Sequence, residues 1–109
     1  MLILKGQKME KIILFVFLLI FSSSAFADTK MELGLEVYNS KAQCGVCHTL
    51  QAAGSEGQIG PSLDALKPQM DQIIFAVTNG IGVMQAWGDI LTYEEIEAVA
   101  YYVFNSINK

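Results

Sequence analysis

The chain has 109 residues, enough for one small domain, and 52% of them are hydrophobic. Seven lysines, no arginine and eleven acids give a net charge of −4, which excludes a strong nucleic-acid binder. The apolar residues are unevenly spread. Residues 12–21 read IILFVFLLIF without a break, whereas residues 28–109 hold 39 apolar residues in 82, or 48%. That is an ordinary globular value, too high for a disordered chain.

The first 27 residues have the three parts of a secretory signal. Lys5, Lys8 and Lys11 are the positive region, Ile12–Phe21 the apolar region, and Ala25-Phe26-Ala27 an A-x-A cleavage site. Cleavage after Ala27 is expected, giving a signal peptide at 1–27 and one domain at 28–109. The alternative is a retained anchor, but ten apolar residues fall short of the ~20 that span a bilayer. No stable membrane insertion is therefore expected after cleavage. The domain carries Lys30, Lys41, Lys67 and Lys109 against ten acids, a net charge of −6. Such a surface attracts basic partners and repels nucleic acid and anionic lipid.

Three helices can be read. The first is predicted over Thr29–Ala42, capped by Asp28 or Thr29, with Met31, Leu35 and Tyr38 as its apolar stripe. The second runs from Pro68, at a favoured first helical position, to Asn79, with Met70, Ile73, Ile74 and Val77 on one face. The third opens on Thr92-Tyr93-Glu94-Glu95, a capping box. It carries Ile96, Val99, Ala100, Val103, Phe104 and Ile107 at helical spacing almost to the last residue. Two glycine-punctuated loops, Gln51–Leu66 and Gly80–Leu91, separate these helices. No alternating strand pattern of useful length and no repeat is present, so the fold class is all-α. Loops this long in so small a domain need something to pack against.

Cys44-Gly45-Val46-Cys47-His48 is C-x-x-C-H, the attachment motif for c-type haem. Two thiols three residues apart can each add to a vinyl group, and the histidine after them is placed under the iron. His48 is the only histidine in the chain. A thiol–disulfide oxidoreductase using Cys44 and Cys47 is the competing reading, but it needs a βαβ context that this sequence lacks. Two cysteines and one adjacent histidine cannot close a four-ligand zinc shell, and a structural disulfide leaves His48 without a role. Methionine is the natural soft ligand for the opposite face of the iron. Met70 belongs to a helix stripe, where core filling is its ordinary role. Met84 lies in the loop Gly80-Ile81-Gly82-Val83-Met84-Gln85-Ala86-Trp87-Gly88, which can curve around an open face, so Met84 is the expected sixth ligand. If Met84 were only packing in its loop, the iron would be open, as in a gas-binding protein.

These residues resemble the class I cytochromes c, specifically the small single-haem bacterial members. The resemblance covers nearly all of Met31–Ile107. It rests on Gly34 and Tyr38, the Cys44–His48 motif, Gly60-Pro61-Ser62-Leu63, the methionine loop Gly82–Trp87, and Leu91–Ile96 opening the last helix. It implies three main helices wrapped around one haem c bound through Cys44 and Cys47. It also implies that the Pro61 carbonyl accepts a hydrogen bond from His48 and that Leu63, Trp87, Ile73 and Val99 line the haem pocket. Gly34 would mark the crossing of the first and last helices. Two departures stand out. Tyr38 lies six residues before Cys44, about two more than the family pattern, so an irregular turn is expected after it and a shifted packing site for Tyr38. Gln85 follows Met84 where a proline is common, which bears on the stiffness of that loop.

The function implied is a periplasmic single-electron carrier, not an enzyme, passing electrons between a donor and an acceptor that present basic docking surfaces. A narrower similarity to cytochrome subunits or partners of sulfite dehydrogenases implies an alternative, a haem subunit of a periplasmic oxidoreductase complex. Domains of this size usually need a staple to complete the core. Here the cofactor would supply it, and an apolar slot is expected between His48 and Met84.

Overall fold

The computed structural model describes residues 25–109. The predicted signal segment therefore lies outside the described residues up to position 24, and only its last three residues are seen. Residues 25–36 form a helix, α1, which passes directly into a π-helical segment, Val37–Lys41. A short 3₁₀ turn follows at Cys44–Val46. Strands β1 (Thr49–Leu50) and β2 (Ser55–Glu56) pair antiparallel, joined by a 3₁₀ turn at Gln51–Ala53. Helices α2 (Leu63–Leu66), α3 (Met70–Asn79) and α4 (Tyr93–Ile107) complete the order. Among the described residues, no helix is long and apolar enough to cross a membrane.

The two extra residues between Tyr38 and Cys44 are absorbed as π-helix, the irregular turn that the spacing implied. Widening the turn keeps Val37 and Tyr38 both fully buried. Gln43 then takes a left-handed backbone, φ +50°, which reverses the chain immediately before Cys44. The predicted caps of the first helix are corrected, because α1 continues on the N-terminal side of both Asp28 and Thr29. The Thr29 hydroxyl donates to the Ala25 carbonyl one turn back. Leu35 is exposed and does not belong to the buried stripe, which runs through Gly34, Val37 and Tyr38.

Helix α4 is buried on two faces. Ile96, Val99, Ala100 and Val103 follow the predicted stripe and meet α3. Ala98 and Tyr102 form a second face turned toward α1. At Gly34 the two helices nearly touch: a β-carbon there would lie 2.2 Å from the Ala98 carbonyl oxygen and 2.5 Å from the Tyr102 β-carbon. The Tyr38 and Tyr102 rings pack 5.8 Å apart at the same crossing. Glycine in a helix costs about 1 kcal/mol relative to alanine; the close crossing is what that cost permits.

Helix α3 begins at Met70 with Gln69 as its cap, so Pro68 stands outside the helix rather than at its first position. Pro68 is itself buried. The short α2 and strand β2 arise within the segment predicted as loop, and β1 lies just before it. Serine at the cap of α2 accepts from the Ala65 amide.

The capping box of α4 forms as read: the Thr92 hydroxyl accepts from the Glu95 amide, and the Glu95 carboxylate accepts from the Thr92 amide. Glu95 also binds Lys41 at 2.5 Å, tying the π segment to the start of α4. The Lys41 ammonium, with the Thr92 amide, holds the Glu95 carboxyl below the usual carboxylate range. A carboxyl held low contributes stability above its unfolded pKa and loses it as pH falls through the folded pKa. Glu95→Gln is therefore expected to lower the unfolding midpoint at neutral pH, with the difference closing as the solution is acidified below the carboxylate range. Thermal unfolding of both proteins across an acid series checks this. A constant difference across that series would overturn it.

Candidate functional site

The attachment motif is one tight turn. The amides of Cys47 and His48 both donate to the Cys44 carbonyl, at 3.2 and 3.0 Å. Residues three and four apart in such a turn share a face, so Cys44, Cys47 and His48 all point to one side. They line a single cavity of about 1320 Å³, larger than the roughly 300–1,000 Å³ of ordinary ligand pockets. Both thiols are free. Burial pushes the Cys44 thiol up to about 11, so it is a neutral thiol at physiological pH.

The His48 ring is fixed from behind. Its Nδ1 lies 2.7 Å from the Pro61 carbonyl oxygen, an acceptor that requires Nδ1 to donate. Gly60 lies flat against the ring: a β-carbon there would fall 2.5 Å from Cε1. The Gly60 amide donates to the Cys47 carbonyl at 2.7 Å, which locks the Gly60–Pro61 segment onto the motif.

Met84 lines the same cavity, as do Pro61, Leu63, Trp87, Ile73 and Val99. The residues expected to hold or line the cofactor are thus brought to one place. Met70 is not among the lining residues and packs on the core instead. The methionine loop is pinned at its exit: the amides of Trp87 and Gly88 donate to the carbonyls of Val77 and Thr78, at 2.8 and 3.1 Å. Those carbonyls end α3 and have no partner within the helix.

Ser55 carries no signal in the sequence, yet three hydrogen bonds meet on its hydroxyl. It donates to the His48 carbonyl at 3.0 Å and accepts from the Leu50 amide at 3.1 Å. The Tyr38 hydroxyl completes the set at 2.8 Å. Burial pushes the Tyr38 phenol up to about 12, so it stays protonated and donates. Ser55 thereby joins the π segment, the hairpin and the motif backbone. Only the contact partners, 17 and 7 residues away in sequence, reveal this.

The cavity fits a haem: two free thiols and an imidazole line it together with a thioether and apolar side chains. A hairpin of two-residue strands cannot supply the sheet of a thiol–disulfide oxidoreductase. The family described as "Cytochrome C oxidase, cbb3-type, subunit III" matches residues 29–103. Chloroplastic cytochrome c6 of Chlamydomonas reinhardtii is 37% identical over 93 residues, covering 76% of this chain and 57% of that protein's length. Cytochrome c6 of Bryopsis maxima is 33% identical over 89 residues, covering 72% of this chain and 94% of that protein. Among solved structures, the c-type cytochrome SorU from Sinorhizobium meliloti superposes with a TM-score of 0.70 at 48% identity. That match covers 75% of this chain and 95% of SorU.

The chain belongs to the cytochrome c family, as a class I member with a single haem. It carries haem c covalently through Cys44 and Cys47.

Removing the Ser55 hydroxyl leaves the buried Tyr38 phenol unpaired, which costs roughly 1–3 kcal/mol. Ser55→Ala is expected to lower holoprotein stability by about 2 kcal/mol. Adding Tyr38→Phe should recover part of the loss, because the orphaned hydroxyl goes with it. Denaturant unfolding of the single and double variants measures the coupling, and simple additivity of the two losses would refute the arrangement.

Proposed function

We propose that the protein is a periplasmic single-electron carrier whose haem iron is held between His48 and Met84. The observation that carries this reading is the pairing of His48 Nδ1 with the Pro61 carbonyl, which occupies one ring nitrogen of a histidine that lines the cavity together with Met84. The haem supplies a one-electron Fe(III)/Fe(II) couple when bound. His48, oriented by Pro61 and Gly60, would give the iron a fixed nitrogen ligand. Met84 would give it a soft sulfur ligand, and such a His/Met pair raises the reduction potential. With both ligands supplied by the protein, substrate would find no open site on the iron, which supports a carrier rather than an enzyme. Leu63, Trp87, Ile73 and Val99 keep water from the ring and lower the local dielectric. Export through residues 1–27 would deliver the chain where haem attachment occurs.

The net charge of −6 on residues 28–109 supports encounter with a donor and an acceptor that offer basic surfaces. A second reading is a haem subunit of an oxidoreductase complex. Co-purification from the native source separates a bound subunit from a diffusing carrier.

Two outcomes are expected. Met84→Ala should lower the reduction potential by roughly 0.1–0.3 V, a fraction of the ~0.8 V range that axial ligands command. Redox titration of the two holoproteins measures it, and an unchanged potential would exclude Met84 as ligand. The bimolecular electron-transfer rate with the physiological partner should fall as salt rises, since the Debye length shrinks from ~10 Å at 0.1 M to ~3 Å at 1 M. Stopped-flow rates that ignore ionic strength would remove the basic docking surface from the account.

A further inference from the structure

We propose that Gly82 is a positioning residue, whose left-handed backbone forms the turn that presents Met84 to the cavity. This rests on the reading of Met84 as sixth ligand. Ile81 and Met84 are joined as an isolated antiparallel bridge. Each amide donates to the other's carbonyl, Ile81 to Met84 at 3.1 Å and Met84 to Ile81 at 2.9 Å. Between them, Gly82 has φ +57° while Val83 is not among the positive-φ residues. A two-residue loop with φ positive only at its first position is a type II′ turn, and that position calls for glycine.

No other part of the chain packs on Gly82: a β-carbon there would meet nothing within 4 Å, and Val83 beside it lines the cavity. The turn before Met84 is therefore shaped by its own backbone bonds. Gln85, unlike a proline, leaves the backbone after Met84 free to rotate. The closed turn before Met84 and the Trp87 and Gly88 bonds behind it take over that restraint. Few dihedrals remain free between the two anchors, so Met84 reaches the cavity with little entropy left to lose.

Because no atom of the chain stands within 4 Å of a β-carbon at Gly82, alanine there acts on the protein through backbone preference. Gly54 provides a matched control. It has φ +65°, its β-carbon would also meet nothing within 4 Å, and it does not line the cavity. The two substitutions carry the same kind of backbone penalty at sites with different neighbours.

The test uses ferric holoproteins and free imidazole, which competes for the sixth position. The readout is loss of the weak red charge-transfer band that reports iron–methionine bonding. Gly82→Ala is expected to bind imidazole about tenfold more tightly than the wild type, the ratio given by about 1.4 kcal/mol. Gly82→Asn should show a smaller gain, because asparagine tolerates positive φ. Gly54→Ala should lose thermal stability yet keep the wild-type affinity for imidazole. Wild-type affinity in Gly82→Ala, or an equal gain in Gly54→Ala, overturns the proposal. If Gly82→Ala does not accumulate, Gly82→Asn carries the same comparison with Gly54→Ala, and wild-type affinity there overturns it equally. Met84→Ala separates the two levels of the argument. If it retains the band and the wild-type imidazole affinity, the ligand reading fails, whatever the Gly82 variants do.

Discussion

The hydrogen bond between the His48 ring and the Pro61 carbonyl is the interaction on which the rest of this structure depends. At 2.7 Å it sets the direction in which the imidazole faces. A single bond could not do so if either partner moved freely. The Gly60 amide ties the Pro61 segment to Cys47, and Ser55 ties the His48 carbonyl to the hairpin and to Tyr38. Tyr38 reaches Ser55 only because the chain widens into a π-helical turn before the motif. A helix irregularity, a hairpin of two-residue strands and a glycine-rich loop thus serve one end. They hold a histidine ring still.

The size of the domain explains why so much of it is spent this way. The largest fully buried side chains are Tyr38, Leu50, Val37 and Val99, and small domains are marginal without an added staple. The covalent haem is that staple. Cysteines that might have made one disulfide instead attach a large apolar group, and the loops gain a surface to pack against. The helices are correspondingly simple. α3 and α4 pack on each other, and α1 crosses α4 where Gly34 lets the backbones meet.

What could be read from the sequence was local, or reached beyond its neighbours only through a spacing. The C-x-x-C-H turn is local, since its hydrogen bonds span four residues. So is the Thr92–Glu95 box, and so is the stripe of α4. The irregular turn showed through as a count of residues between Tyr38 and Cys44. The features that escaped depend on contacts distant in sequence. Ala98 and Tyr102 are buried because α1 arrives there, and periodicity within α4 does not announce a second partner. Ser55 is a lone polar residue in a loop until the chain folds Tyr38 and His48 onto it. Pro68 had the right residue type for a helix start, but Gln69 became the cap, its amide donating to the Gln72 side chain, and the helix begins at Met70, two residues later.

The two faces of the cavity are restrained by different physics. The His48 side is held by bonds between segments far apart in sequence, so it forms only when the whole domain has folded. The methionine side is held by a turn closed within four residues and by two amides seated on the end of α3. A local turn can form early and break alone. Loosening the Met84 loop therefore need not disturb the histidine, whereas loosening the Ser55 network disturbs the motif backbone itself. If His48 and Met84 hold the iron as proposed, that division has a consequence. Ligand loss should begin at the methionine, the side whose restraint can fail without unfolding the protein.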